Sequence, residues 1–226
     1  MRTRDWAGLI LLAGLLPGCV EPYNHTGASG PARAARGDAA TPALAAKPAV
    51  AMPTDAQASV ARFCADRLAR VRPTAGVEPG RIAERANRIV QAYWQAAQPD
   101  PGSVVEAIDL SCAARAGLPA DERNGGWAWN ELNLGTALLI VGGAREDRTL
   151  LELALAAAGN ATAAFDRGSE GWSWARHATG RSAAELFRRN GDPAYKSMAM
   201  QAFREVSATS TPAARYSGQE LAALAQ

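Results

Sequence analysis

Histidine and cysteine are scarce in this chain, with two and three residues in 226. His25 sits in a stretch of Ala, Gly, Pro and Thr, and His177 stands alone. No Cys-x-x-Cys or His-x-x-x-His spacing is present, so nothing offers a structural zinc site, and no phosphate loop or nucleophile elbow accompanies the histidines. These absences argue against an enzyme, a metal and a cofactor. Charge of one sign is missing as well: the formal net charge is +2, which gives no electrostatic footprint for nucleic acid. No β-branched, alternating segment bounded by turn residues occurs, so strands are not expected. The longest apolar run near either end, Trp6 to Leu16, has eleven residues, short of the roughly 20 that span a bilayer as a helix.

That run is nevertheless informative. Arg2 and Arg4 precede it and Leu16-Pro17-Gly18-Cys19 closes it, which is the layout of an export signal. Its ending resembles a bacterial lipobox, which implies cleavage before Cys19 and attachment of diacylglycerol to its thiol. Pro17 and Asp5 depart from the usual pattern. Losing residues 1–18 takes the formal charge from +2 to +1. Val20 follows the cysteine, and by resemblance to Gram-negative sorting this favours the outer membrane, with the chain facing the periplasm. Of the three cysteines, Cys64 and Cys112 then remain. In an exported protein they either cross-link or stay as two small buried side chains on apolar helix faces.

From Cys19 to Pro53 the chain has almost no large apolar residue, too little to offset the entropy of ordering, so a flexible tether is expected over 19–53. Residues 54–226 suffice for one ordinary domain, and their punctuation is helical. Thr54-x-x-Gln57 resembles a capping box. Pro79 suits the first turn of a second helix with Ile82, Ala86, Ile89, Val90, Tyr93 and Ala97 on one face. Ser103-x-x-Glu106 is expected to cap a third. Asn124 or a neighbour caps a fourth helix that closes at Gly142-Gly143, and Asp147 opens its partner. Ser169 starts another helix, Asn190-Gly191 stops it, Asp192-Pro193 begins the next, and Ser217-x-x-Glu220 begins a short last one. The expected fold class is all-α.

The C-terminal half also repeats at a spacing of forty-five residues. Trp127 and Trp172, Trp129 and Trp174, Gly135 and Gly180, Asp147 and Asp192, Ala154 and Ala199, and Ala157 and Ala202 all pair in this register. A period in the range of about 20–50 residues signals stacked supersecondary units that cannot bury their apolar faces alone. Trp127 to Leu138 resembles the first helix of bacterial tetratricopeptide-type (TPR) repeats, and Ala199 to Phe203 resembles the second helix. Ala154 to Ala158 matches that second helix without its aromatic residue. Glu106-Ala107-Ile108 resembles part of a further, degenerate unit, so the likeness covers roughly residues 103–207.

The resemblance implies antiparallel helix pairs that bind an extended peptide or partner helix on the face of each first helix. In the glycine register, Trp129, Leu132, Thr136, Leu139 and Ile140 fall on that face in one copy. Trp174, His177, Arg181, Ala184 and Glu185 fall there in the next. Two residues along a helix is about 200° of rotation, so only one tryptophan of each pair points inward. Trp127 and Trp172 are assigned to packing, and Trp129, Thr136, Trp174, His177 and Arg181 to partner binding; the other reading of the tryptophan pairs is that both members pack. The function these observations imply is a lipid-anchored periplasmic adaptor holding a protein partner in envelope assembly, secretion or pilus biogenesis. The alternatives are a peptidoglycan-binding module whose Trp129 and Trp174 stack on glycan rings, and a lytic cell-wall enzyme using Glu131 as general acid.

Overall fold

A computed structural model describes residues 54–70, 76–122 and 124–225. The expected signal peptide, the lipidation site Cys19 and the tether lie outside these residues. Every regular element described is helical: α1 (Thr54–Leu68), α2 (Pro79–Gln95), a 3-10 turn (Pro101–Val104), α3 (Val105–Arg115), α4 (Gly126–Arg145), α5 (Arg148–Ala164), α6 (Glu170–Asn190), α7 (Pro193–Ser207) and α8 (Ala213–Leu224).

Local chemistry sets most boundaries. Asp147, Ser169 and Asp192 accept hydrogen bonds from Leu150 N, Trp172 N and Ala194 N, occupying free amides at the starts of α5, α6 and α7. Gly191 ends α6 in the left-handed conformation, at φ 72°. Three expected boundaries move. Asp100, not Ser103, starts the third helical stretch, its carboxylate accepting from Gly102 N at 2.9 Å and opening a 3-10 turn. The start expected at Asn124 or a neighbour falls on the neighbour: Gly125 precedes α4, and the Asn124 side chain reaches Asp166 across the molecule, accepting from its N at 2.9 Å. Gly142-Gly143 do not stop α4, which continues to Arg145. The reason lies at Gly142, where a Cβ would meet Leu150 Cβ at 3.0 Å and Leu151 N at 3.2 Å; the glycine serves close approach of α5, not termination. Finally, α8 starts at Ala213, which places Ser217 inside it.

Consecutive helices from α2 to α8 pack on one another, and α2 with α4, α4 with α6 and α6 with α8 are also in contact. Among the described residues α3, α5 and α7 make no such contacts with each other; instead α1 touches both α3 and α5. Helix α4, with neighbours in α2, α3, α5 and α6, is buried on almost every side, as an apolar-all-round helix must be. Gly135 lets α4 meet α5 backbone to backbone: a Cβ there would lie 3.0 Å from Ala158 N and 3.2 Å from Ala154 O. Alanines 154, 157, 158 and 161 line α5 at this contact, all fully buried, so the stabilising burial comes from many small groups packed closely. Cys64 of α1 and Cys112 of α3 form a disulfide with Cα atoms 4.9 Å apart. Val60 and Cys64 are the buried apolar residues of α1, and the Arg67–Asp109 pair joins the same two helices.

Candidate functional site: the face of α2, α4, α6 and α8

Helical spacing places Trp174 and Arg181 on one stripe of α6, seven residues apart, and Tyr216 and Glu220 on one stripe of α8, four apart. The two stripes meet. The Trp174 and Tyr216 rings lie 5.8 Å apart by centroid, and Arg181 Nε stands 3.5 Å from Glu220 Oε1. On the other flank the Arg181 guanidinium carbon lies 5.3 Å from the centroid of Trp94, which α2 contributes. Trp94 is 42% exposed, and its neighbour Tyr93 packs edge-on to it at 5.1 Å. One arginine is thus held between the second helix and the last. Burial pushes the Tyr93 hydroxyl above its ordinary range, with the Arg181 charge opposing and Asp100 adding to the rise.

The residues expected on this face fare unequally. Trp129 is partly buried, its ring edge-on to Phe165 at 4.7 Å beyond the end of α5. Trp174 is likewise partly buried, against His177 and Tyr216. Both tryptophans thus pack on one side and reach the surface on the other, unlike Trp127 and Trp172, which are 1% and 7% exposed. Thr136 is partly buried and donates its hydroxyl hydrogen to Leu132 O at 2.9 Å, within its own helix. Arg181 retains 34% of its side-chain exposure.

His177 requires a correction. It is buried beneath α8, with Nδ1 2.8 Å from Ser217 Oγ and its ring 5.6 Å from that of Phe203. Burial, with the nearby positive charge of Arg181 adding to it, holds its pKa down at about 3, so the ring is neutral at ordinary pH and is no open groove residue. Leu132, Leu139, Ile140 and Ala184 are also buried. The glycine register takes no account of neighbours lying across a helix face. Glu185 lies at the end of the face, where Arg188 and Arg189 grip its carboxylate. These two arginines hold its pKa below the ordinary carboxylate range, against the opposing effect of burial.

Sequence reasoning missed Trp94, Tyr93, Tyr216 and Glu220. Trp94 was detectable as a tryptophan on an otherwise amphipathic helix, but it belongs to no repeat. Glu220 was read as part of a helix start, because the Ser217-x-x-Glu220 pattern masks its side-by-side placement with Tyr216.

Glu131 sits elsewhere, between α3, α4 and α5. Its side chain has no exposed surface; Arg115 Nε donates to Oε1 at 2.6 Å and Asn160 Nδ2 to Oε2 at 2.8 Å. Burial raises its carboxyl above the ordinary range, and Arg115 and Asn160 pull against that rise. Arg115 also covers the face of Trp127, 5.5 Å from the ring centroid. Both carboxylate oxygens are occupied and no solvent reaches them, so Glu131 has the surroundings of a buried structural ion pair and not of a proton donor to a polysaccharide. Among the described residues no group of three or more His, Cys, Asp or Glu side chains is arranged to hold a metal ion, and no described helix is long and apolar enough to cross a membrane. Compared with protein-family models, curated proteins and solved structures, the chain matches none of them significantly.

Proposed function

We propose that this protein is a lipid-anchored periplasmic adaptor whose helix pairs form a tetratricopeptide-like array and hold a protein partner on the face of α2, α4, α6 and α8. The observation that carries the reading is the set of partly exposed aromatic rings beside Arg181 and Glu220: Trp94 against the arginine, and Trp174 with Tyr216 where α6 meets α8. Aromatic residues and arginine are the side chains that most often anchor protein interfaces. Three features support the array. Gly135 of α4 faces Ala154 and Ala158 while Gly142 faces Leu150 and Leu151, contacts that run in opposite chain directions as in an antiparallel pair. The same glycine recurs forty-five residues on. The even-numbered helices touch their even-numbered neighbours and α3, α5 and α7 do not touch one another, which supports reading the even-numbered layer as the inner, binding side of such an array.

The test uses photo-crosslinking residues placed in the full-length protein in its own cell envelope. Substitution at Thr136 and Trp94 should give protein adducts, and substitution at Met198, an exposed position of α7, should not. Adducts carrying wall fragments in place of protein would favour the peptidoglycan-binding alternative, and equal labelling at all three positions would remove the face from consideration. The anchor has its own test: Cys19→Ala should move the protein out of the membrane fraction, and its retention there would overturn lipidation. Recovery of the unchanged protein with the inner membrane would overturn the outer-membrane assignment.

A further inference from the structure

Arginines beside carboxylates in this fold are mostly gripped. Arg115, Arg176 and Arg189 donate through Nε to Glu131, Glu205 and Glu185 at 2.6, 2.9 and 2.9 Å. Arg181 differs. Its distance to Glu220 is 3.5 Å, both side chains are about a third exposed at 34% and 30%, and among the described residues its guanidinium donates no hydrogen bond. A planar fork of five N–H donors, built for bidentate contact with a carboxylate, is therefore held by the face of one ring, Trp94, and a loose ion pair. It sits mid-face, with Trp94 on one side and Glu220 on the other.

We infer that Arg181 is the specificity anchor of this face and takes the side-chain carboxylate of an internal Asp or Glu in an extended partner peptide, displacing Glu220. The inference rests on the face being the binding face proposed above. Charge complementarity selects an anion, and the flat fork selects a carboxylate. Its central position selects an internal residue over a chain end: a strand crossing Arg181 continues past Trp94 in one direction and past Trp174 and Tyr216 in the other, and those rings cover the apolar neighbours of the acid. Glu220 acts as an internal stand-in for that acid in the empty protein, keeping the arginine in place and discouraging ligands without a carboxylate to exchange for it.

The test is selection of a random-peptide display library, with blocked peptide termini, on the intact protein. Enriched peptides should carry an acidic residue next to aliphatic or aromatic ones. Replacing that acid by its amide should weaken binding about tenfold or more, and Arg181→Ala should weaken the acidic peptide by a similar factor. Applied together, the two changes should cost little more than either alone, because each removes the same contact. Arg181→Lys should restore only part of the loss, since it keeps the charge without the fork, and Glu220→Gln should tighten binding about threefold by freeing the arginine. Thermal unfolding of each variant identifies any that fails to fold, and Glu220→Gln carries the test without touching Arg181. Peptides that bind the face with no acid, or an acid-to-amide penalty that persists in Arg181→Ala, would overturn the anchor and leave the binding face standing. Selection of peptides requiring a free C-terminus once blocking is omitted would replace the internal acid with a chain end. No enrichment of any peptide would remove the binding face and the anchor together.

Discussion

The two copies of the repeat, α4–α5 and α6–α7, keep the same glycine in register and close on it in different ways. At Gly135 the opposing atoms are backbone, Ala158 N and Ala154 O. At Gly180 a Cβ would strike the ring of Phe203, 2.6 Å from Cε1. Phe203 stands forty-five residues after Ala158, so one copy brings two helices together over alanines and the other fills the gap with an aromatic ring. The neighbours differ accordingly. Leu132 of the first copy is apolar and buried in the hydrophobic cluster around Trp127 and Trp172, whereas its counterpart His177 bonds to Ser217 of α8. The first copy is enclosed by helices on both sides, while the second packs against α8, the last described helix, and makes polar contacts to it. A common spacing therefore fixes where helices approach, and the side chains opposite the glycine set how closely.

The largest expected effect compares the inward tryptophans. Trp127→Ala should destabilise the fold by about 3–5 kcal/mol, because the ring is 1% exposed and also carries Arg115. Trp172→Ala, 7% exposed, should fall at the lower end of that range. Urea unfolding of both variants measures the difference, and a larger loss at Trp172 would reverse the view that the first copy is the better enclosed.

Next comes the outward pair. Trp129→Ala and Trp174→Ala should each weaken partner binding by about 2 kcal/mol with smaller losses of stability than their inward neighbours. Titration of a crosslinked or selected partner, run beside thermal unfolding, separates the two effects. Intact binding with a collapsed fold would make both tryptophans core residues.

The glycines sharpen the comparison further. Gly180→Ala should cost about 1–2 kcal/mol, overpacking against Phe203 outweighing the gain in helix propensity. Adding Phe203→Leu should cost less than the separate changes predict, because the smaller side chain makes room. Gly135→Ala has no such remedy, since the atoms in the way are backbone. A double-mutant cycle that shows no rescue at Gly180 would mean the ring is not what limits the approach there.

The last effect is pH dependence, the smallest of these near neutral pH. His177 has its folded pKa lowered to about 3 from the ordinary 6.5. The sign follows: its neutral, buried ring favours folding fully above about pH 6.5, and that contribution is lost as pH falls toward 3, at about 1.4 kcal/mol per pH unit at most. His177→Leu with Ser217→Ala gives the second copy the residue of the first and removes the hydroxyl's need for a partner. The variant should gain stability relative to the parent as pH drops below 6.5, with the difference constant above it. Parallel acid melting curves would show that His177 ionises without unfolding its surroundings.

Helix content and most helix ends were legible because their signals are local. Asp147, Ser169 and Asp192 each satisfy amides two or three residues away, and Gly191 adopts its left-handed turn without help from distant residues. Where a residue acts across the fold, reading failed. Asn124 has the composition of a cap and spends its side chain on Asp166; Gly142 has the composition of a stop and is a point of close approach. The candidate face was partly legible through Trp129, Trp174 and Arg181. Trp94 and Glu220 were not, since only folding brings residues 94, 181 and 220 together.

By itself the sequence determined that the described region is helical and where its glycines recur, because both follow from interactions within a few residues or from spacing alone. Only the tertiary structure decided which sides of those helices are covered. His177 falls on the side of its helix where a partner was expected and is buried because α8 lies over it. Arg181, one turn further along, stays partly exposed because Trp94 and Glu220 flank it without closing over it. The physical reason is that helix formation depends on neighbours three or four residues away, whereas burial depends on elements distant in the chain whose positions are fixed by packing.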